Sequence, residues 1–156
     1  MGGAAKLERR RNAGILNARE RIDYLLDADT FIESGLFATS LYPGDRDKTP
    51  ADGKITGYGR IDGREAVIVV NDFTVKGSSS AATNMKKIAH MQRTSVERGI
   101  PMVYLGESSG ARIPDKMGAI GMGTLLAGNP SQYARLRECP WTSAILGMSY
   151  GSATWY

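Results

Sequence analysis

The apolar positions of this chain change period along its length. From Ile55 onward two runs, ITGYGRI at 55–61 and EAVIVVNDF at 65–73, are joined by Asp62-Gly63. Short runs separated by an Asp-Gly dipeptide predict a β-hairpin. In the second run apolar residues follow one another at 66–70, which predicts a strand buried on both faces. The spacing then lengthens. Ala82, Met85, Ala89, Gln92 and Val96 predict the inner stripe of a helix over 79–97, capped by serines at its start and ended by Gly99. Lys86, Lys87, His90, Arg93 and Glu97 fall on its outer face. IPMVYLG is the next strand, ESSGAR a turn, the segment 114–126 a helix weakened by its glycines, and WTSAILG a last strand entering GMSYG at 147–151. Strand, small-residue turn and helix in succession predict a mainly parallel, layered α/β arrangement with ligands at the strand C-terminal ends.

Before Ile55 the pattern is different. Residues 5–27 read as helix, with Asn17 as an N-cap and Glu20 completing a capping box ahead of Ile22, Leu25 and Leu26. The stretch FIESGLFATSLYPGDRDKTPADGK is rich in Gly, Pro and Asp and reads as a loop. The organisation expected is a helical segment and loop over 1–50, followed by a main body over 51–156 that stops short of its last helix, as a piece of a longer protein would.

Composition narrows the functional classes. The chain has 156 residues, enough for one domain with a core, and 42% hydrophobic with 23% charged residues is ordinary for a globular protein. No apolar run reaches a membrane span, and MGGAAKLERRRN lacks the apolar stretch of a signal peptide, so a cytoplasmic protein is expected, with a mitochondrial one left open for a processed chain. A single cysteine, Cys139, and a single histidine, His90, exclude a disulfide framework and an ordinary zinc site within the chain, and Cys139 reads as a buried small apolar residue. The net charge of +4 is concentrated in Lys6, Arg9, Arg10, Arg11, Arg19 and Arg21. No aromatic residues interleave with them as nucleic-acid stacking would require, so a solvated helix face or the attraction of a polyanionic ligand is the reading.

GMSYG also fits the G-x-S-x-G pattern that presents a nucleophilic serine, here Ser149, at a strand-to-helix turn. The acid and histidine that follow such a serine in α/β-hydrolases are absent after Ser149, and His90 reads as a surface residue beside Lys86 and Lys87. The alternative use of both turns is through the backbone. N–H groups at a strand-to-helix turn have no intrahelical partner, and two turns facing one point can hold an oxyanion. Close packing of helix on sheet explains small residues at one isolated turn equally well. Glu107 and Asp115 flank the first turn, where helix capping accounts for acidic residues.

ARERIDYLLD at 18–27, ADGKITGYGRIDGREAVIVVNDFTVKGSS at 51–79, GIPMVYLGESSGARIPD at 99–115 and the closing ILGMSYGSATWY together carry a resemblance. The sequence resembles the N-terminal portion of the carboxyltransferase (beta) subunit of biotin-dependent acyl-CoA carboxylases of the propionyl-CoA and methylcrotonyl-CoA type. The resemblance implies a crotonase (ClpP/crotonase) fold of repeated ββα units. It also implies transfer of a carboxyl group from carboxybiotin to the α-carbon of an acyl-CoA, through an enolate held by backbone donors. Carried over residue by residue, the donors fall at Gly110 and Ala111 and at Gly151 and Ser152. Ser109, Arg112, Lys86 and the N-terminal arginines become candidates for coenzyme A. Biotin is implied on a partner carrier and supplies the base. Biotin carboxyl carrier and biotin carboxylase subunits are the implied partners beside a homo-oligomer, with neither nucleic acid nor membrane.

This chain departs from the family in three places. The family's paired glycines appear as Gly151-Ser152, its SGGAR as Ser108-Ser109-Gly110-Ala111-Arg112, and the lysine before ARERI is replaced by Ile15 within GILNARERI. The rival readings are a biotin-linked decarboxylase or other crotonase-type enzyme, a serine hydrolase using Ser149, and a non-catalytic fragment that binds coenzyme A or a partner subunit.

Overall fold

A computed structural model of the chain describes residues 1–114 and 138–151. Its elements are helices α1 (Ala4–Asn12) and α2 (Ala18–Leu25), strands β1 (Ile32–Ser34), β2 (Lys54–Ile61) and β3 (Arg64–Asn71), helix α3 (Ala82–Arg98), and strands β4 (Met102–Ser108) and β5 (Trp141–Ser149). The strands form one sheet in the order β1-β2-β3-β4-β5. β1, β2 and β3 pair antiparallel, whereas β3, β4 and β5 pair parallel. The mainly parallel arrangement expected above is therefore corrected to a mixed sheet, half hairpin and half crossover.

β3 sits at the centre because both of its faces are apolar. Val67 and Val69 pack with Ile88, Met91, Ile100, Met102 and Tyr104 beneath α3. Ala66, Ile68 and Val70 face the other way, onto Ala18, Ile22 and Leu26 of the N-terminal region together with Ile55 and Leu105. Residues 67–70 have no exposed surface. Burying a side chain of this size contributes roughly 1.5–3 kcal/mol, so this tetrapeptide anchors both layers. The hairpin turn is where the Asp-Gly signal put it: Asp62 (φ 50°) and Gly63 (φ 76°) are both left-handed, which matches the twist of the paired strands.

Several local readings change. The helix expected over 5–27 is two helices, interrupted at 13–17, and the Asn17/Glu20 capping box starts the second of them. The expected loop contains β1, which adds an edge strand to β2. No serine caps α3. Its N-cap is Ala81, whose N–H donates to Asn84 Oδ1 at 2.9 Å, while Gly99 closes the far end in a left-handed conformation as expected. Ala82, Gln92 and Val96 of the predicted stripe are buried, Met85 and Ala89 are half-buried, and the most deeply buried apolar positions are Ile88 and Met91. Lys87 is the misplaced residue: it lies inside rather than on the outer face. His90 is exposed and Cys139 buried, as read. The helix expected over 114–126 lies outside the described residues.

Candidate functional site

β4 and β5 run side by side and end together. Ser108 pairs with Ser149 beyond an irregularity in the ladder after Gly106, and the Tyr150 N–H donates to the Ser108 carbonyl at 3.1 Å. A Cβ placed on Gly110 would lie 3.6 Å from Tyr150 Cβ. The turns at Gly110-Ala111 and Tyr150-Gly151 are thus neighbours at the C-terminal ends of parallel strands.

The first turn is held almost entirely through its backbone. Ser109 N–H donates to Gly77 O (2.9 Å), Ser80 N–H to Gly110 O (2.8 Å), and Arg112 N–H to Ser80 O (2.8 Å). Gly110, at φ +96°, donates its N–H to Ser108 Oγ at 3.1 Å. These bonds make Ala111 the bridge partner of Ser80 in a parallel pair. In such a pair the flanking groups take the hydrogen bonds, and the bridging residue's own N–H points away. Between Ser109 and Arg112, the Ala111 N–H alone has no partner among the described residues, and Ala111 is exposed. A backbone N–H left open at a strand end, with no partner among the described residues, is the kind of donor an oxyanion site uses.

Behind this turn lies a buried polar layer. Arg112 is 5% exposed; its guanidinium donates to Asp52 Oδ1 at 2.6 Å and to Ser79 Oγ at 3.2 Å. Asp52 in turn accepts the Asn84 N–H through Oδ2 at 3.0 Å, so one carboxylate ties the first turn of α3 to the turn after β4. The segment carrying it is contorted: Ala51 and Asp52 have φ of 50° and 47°. Lys54, next along, is 1% exposed, and its ammonium donates to Asn71 Oδ1 (3.2 Å), Ser78 O (3.1 Å) and Ser78 Oγ (3.2 Å). Lys87 completes the layer with bonds to the Ala51 and Lys54 carbonyls.

Burial pushes the Lys54 ammonium down to about 7, with nearby Asp52 opposing the shift and Arg112 and Lys87 adding to it. Burial likewise lowers Lys87 to about 8, against the pull of Glu33 and Asp52. Between these values and the ordinary 10.5 the unfolded chain holds protons that the native state has released. Stability therefore rises with pH across that window, by up to about 1.4 kcal/mol per pH unit for each lysine, and is flat with respect to both groups below it. Denaturant midpoints measured on both sides of neutrality are expected to increase on the alkaline side. The increase should be smaller in Lys54→Met, and a midpoint indifferent to pH contradicts the assignment.

A second buried cluster supports β4 from the opposite face. Glu107 is 5% exposed and accepts Arg10 through both oxygens (2.9 and 2.7 Å) and Arg21 through Oε2 (2.9 Å). This corrects two readings: Glu107 is an ion-pair centre rather than a helix cap, and Arg10 and Arg21 are turned into the protein rather than out to a ligand. Arg19 is engaged with Glu33 at 2.7 Å. The cluster also accounts for the first glycine of GMSYG, because a Cβ on Gly147 would stand 2.9 Å from the Glu107 carboxyl carbon. Gly147→Ala is expected to cost about 1–3 kcal/mol by displacing that carboxylate from its arginines. The cost should shrink when Glu107→Ala is already present, and simple additivity in denaturation would exclude the contact as the cause.

Ser109 is exposed on the first turn, Gly151 is exposed at φ +63° beside Tyr150, and Ser152 lies outside the described residues, as does Asp115. Arg112 is inward and committed to Asp52, a position that does not present it to a phosphate. Lys86 is exposed on α3, where it lines a hollow with Ser34, Gly35, Thr56, Thr83, Lys87 and His90 that contains neither turn. Ser149 is the last residue of β5 rather than the apex of a turn, and its Oγ is enclosed without a hydrogen-bond partner among the described residues. Among those residues there is no group of three or more His, Cys, Asp or Glu able to hold a metal, and no helix long and apolar enough to cross a membrane. Sequence reasoning overlooked Asp52, Lys54, Asn71, Ser78 and Asn84. The available signal was the density of polar residues in ADGK and VKGSSS flanking two strands of otherwise apolar character.

A mixed sheet of this order, with helices α2 and α3 on its two faces and adjoining turns at its parallel strand ends, is the crotonase-like layout of carboxyltransferases. The chain belongs to the carboxyl transferase domain family, whose pattern matches residues 9–156. It is 36% identical over 155 residues to the putative propionyl-CoA carboxylase beta chain of Bacillus subtilis. It is 35% identical over 158 residues to methylmalonyl-CoA decarboxylase subunit alpha of Propionigenium modestum. Each match covers 99% of this chain and 30% of the relative. The crystal structure of the transcarboxylase 12S hexamer with methylmalonyl-coenzyme A and methylmalonic acid bound is similar at a TM-score of 0.80 and 30% identity, over 99% of this chain and 30% of that one. The chain spans about 30% of the length of these relatives, and the family expected from its motifs is the family found.

Proposed function

We propose that this chain supplies the acyl-CoA side of a carboxyltransferase site in a biotin-dependent acyl-CoA carboxylase. The observation that carries the reading is the Ala111 N–H, without a partner among the described residues, on a turn that abuts Tyr150. Loss of the α-proton moves charge onto the thioester oxygen, and backbone donors held in place before the reaction stabilise that charge without reorganising. Ala111 is the first donor; Gly110 becomes a second if its N–H leaves Ser108 Oγ. Gly151 and Ser152 stay the candidates for the other backbone donors, as the family resemblance implies. Carboxybiotin, carried by a partner subunit, supplies the carboxyl carbon and, once freed, the base for the α-proton. No described residue of this chain is assigned to biotin, and the remainder of the subunit or a second copy is needed to complete that half. Ser109, exposed at the turn, stays a candidate for the coenzyme A side, whereas Arg112 is reassigned to positioning the turn.

The relative named as a methylmalonyl-CoA decarboxylase subunit favours a second reading, because decarboxylation passes through the same enolate. Incubating the intact protein with carboxylated biotin carrier and propionyl-CoA separates the two. A carboxylated acyl-CoA formed only with the carboxylated carrier supports transfer. Decarboxylation of methylmalonyl-CoA with free biotin carrier as acceptor, and no forward product, supports the alternative. Labelling of Ser149 by a fluorophosphonate is not expected, since its hydroxyl is enclosed.

A further inference from the structure

The buried ammonium of Lys54 is unused by the site as described so far, yet it is joined to it by an unbroken series of hydrogen bonds. Lys54 Nζ donates to the Ser78 carbonyl at 3.1 Å. The Ser108 hydroxyl donates to the same carbonyl at 3.2 Å, which commits its proton. Its remaining lone pairs then face the Gly110 N–H, accepted at 3.1 Å. Ser78 is tied down by two further bonds, its hydroxyl on Gly53 O and its N–H on Val75 O, both at 2.8 Å, while the same hydroxyl also accepts Lys54 Nζ at 3.2 Å. We propose that Lys54 is a positioning residue for carboxyl transfer: acting through Ser78 and Ser108, its charge sets the Gly110 amide and adds positive potential behind the turn where the enolate oxygen forms.

The inference rests on the carboxyltransferase reading of the turn. A buried cation acts over longer distances than one at the surface, and a group already held by its hydrogen bonds costs no reorganisation when charge develops. The charged and polar groups facing Lys54 come from each neighbouring element: Asp52 from the turn before β2, Arg112 from the turn after β4, Lys87 from α3, and Tyr104 of β4 through Asn71. Burial lowers Lys54 to about 7, so its charge is titrated near neutrality rather than fixed.

The test uses the intact protein that contains this chain, assayed with carboxylated biotin carrier and propionyl-CoA from about pH 6 to about pH 9, a range that spans the lysine's titration. Wild type is expected to lose kcat on the alkaline side as Lys54 gives up its proton. Lys54→Arg should keep kcat and lose that decline. Lys54→Met should show kcat reduced roughly tenfold at the acidic end and no decline, with KM for the acyl-CoA unchanged. A folded Lys54→Met with wild-type kcat and pH profile overturns the proposal, as does a rise in KM alone. Ser108→Ala leaves the lysine in place and cuts the series of bonds, so it serves if Lys54→Met fails to fold; retention of the wild-type decline in it overturns the relay. The Gly110 amide resonance of 15N-glycine-labelled wild type should move with the same titration whether or not transfer occurs. A moving amide without transfer rejects the carboxyltransferase reading and keeps the relay. Transfer with an unmoved amide does the reverse.

Discussion

Ala111→Pro is expected to lower kcat for carboxyl transfer by on the order of a hundredfold to a thousandfold, the loss seen elsewhere when one oxyanion donor is removed. Proline deletes the N–H. The bonds that seat the turn use Gly110 O and Arg112 N–H on either side of Ala111, and both survive the substitution. Binding of the acyl-CoA should change little, because the donor meets its full charge only as the enolate forms. Ala111→Gly keeps the N–H and should retain activity within a few-fold. Steady-state kinetics on the two variants decide the matter: equal losses in both would mean that side-chain packing, not the donor, is at stake.

Arg112→Met should destabilise the fold by about 3–5 kcal/mol, since it leaves the Asp52 carboxylate buried without its cation. Asp52 is fully buried and simultaneously holds the Asn84 N–H, so its charge cannot turn outward without freeing the start of α3. Asp52→Asn/Arg112→Met should recover part of the loss, because a neutral amide is far less costly to bury than a carboxylate that has lost its bonded guanidinium. Denaturant midpoints of the single and double variants measure this directly. A double variant less stable than Arg112→Met alone would show that the contact matters through Asp52's backbone partners instead.

What was legible in the sequence was governed by neighbours along the chain. The Asn17/Glu20 capping box, the Asp62-Gly63 turn, the doubly buried run at 67–70 and the Gly99 helix end each depend on residues a few positions apart. Asp52 and Arg112 are separated by 60 positions, and Arg21 and Glu107 by 86, so no periodicity reveals that these charges meet inside the protein. Lys87 shows the same failure on a single helix. Helical spacing placed it outside, but its long apolar stem crosses the core edge and its ammonium finds the Ala51 and Lys54 carbonyls. β1 escaped notice because its three residues, at the start of a stretch rich in Gly, Pro and Asp, carry almost no strand signal of their own. At the site the two turns were legible as small-residue strand ends. Their difference in donors was not, since whether Gly110 or Ala111 offers an open N–H depends on Ser80 and Ser108.

That distinction also settles what GMSYG contributes. Gly147 makes room for Glu107, Ser149 closes the β5 ladder, and the stretch brings Tyr150 against the turn at Gly110. The central claim is that this pair of turns polarises a thioester oxygen. Isotope-edited infrared spectroscopy of a [1-13C]acyl-CoA bound to the intact protein measures it most directly. The carbonyl stretch is predicted to fall to lower wavenumber than in free acyl-CoA, and to return most of the way in Ala111→Pro at saturating ligand. A bound carbonyl that absorbs where the free one does would contradict the account.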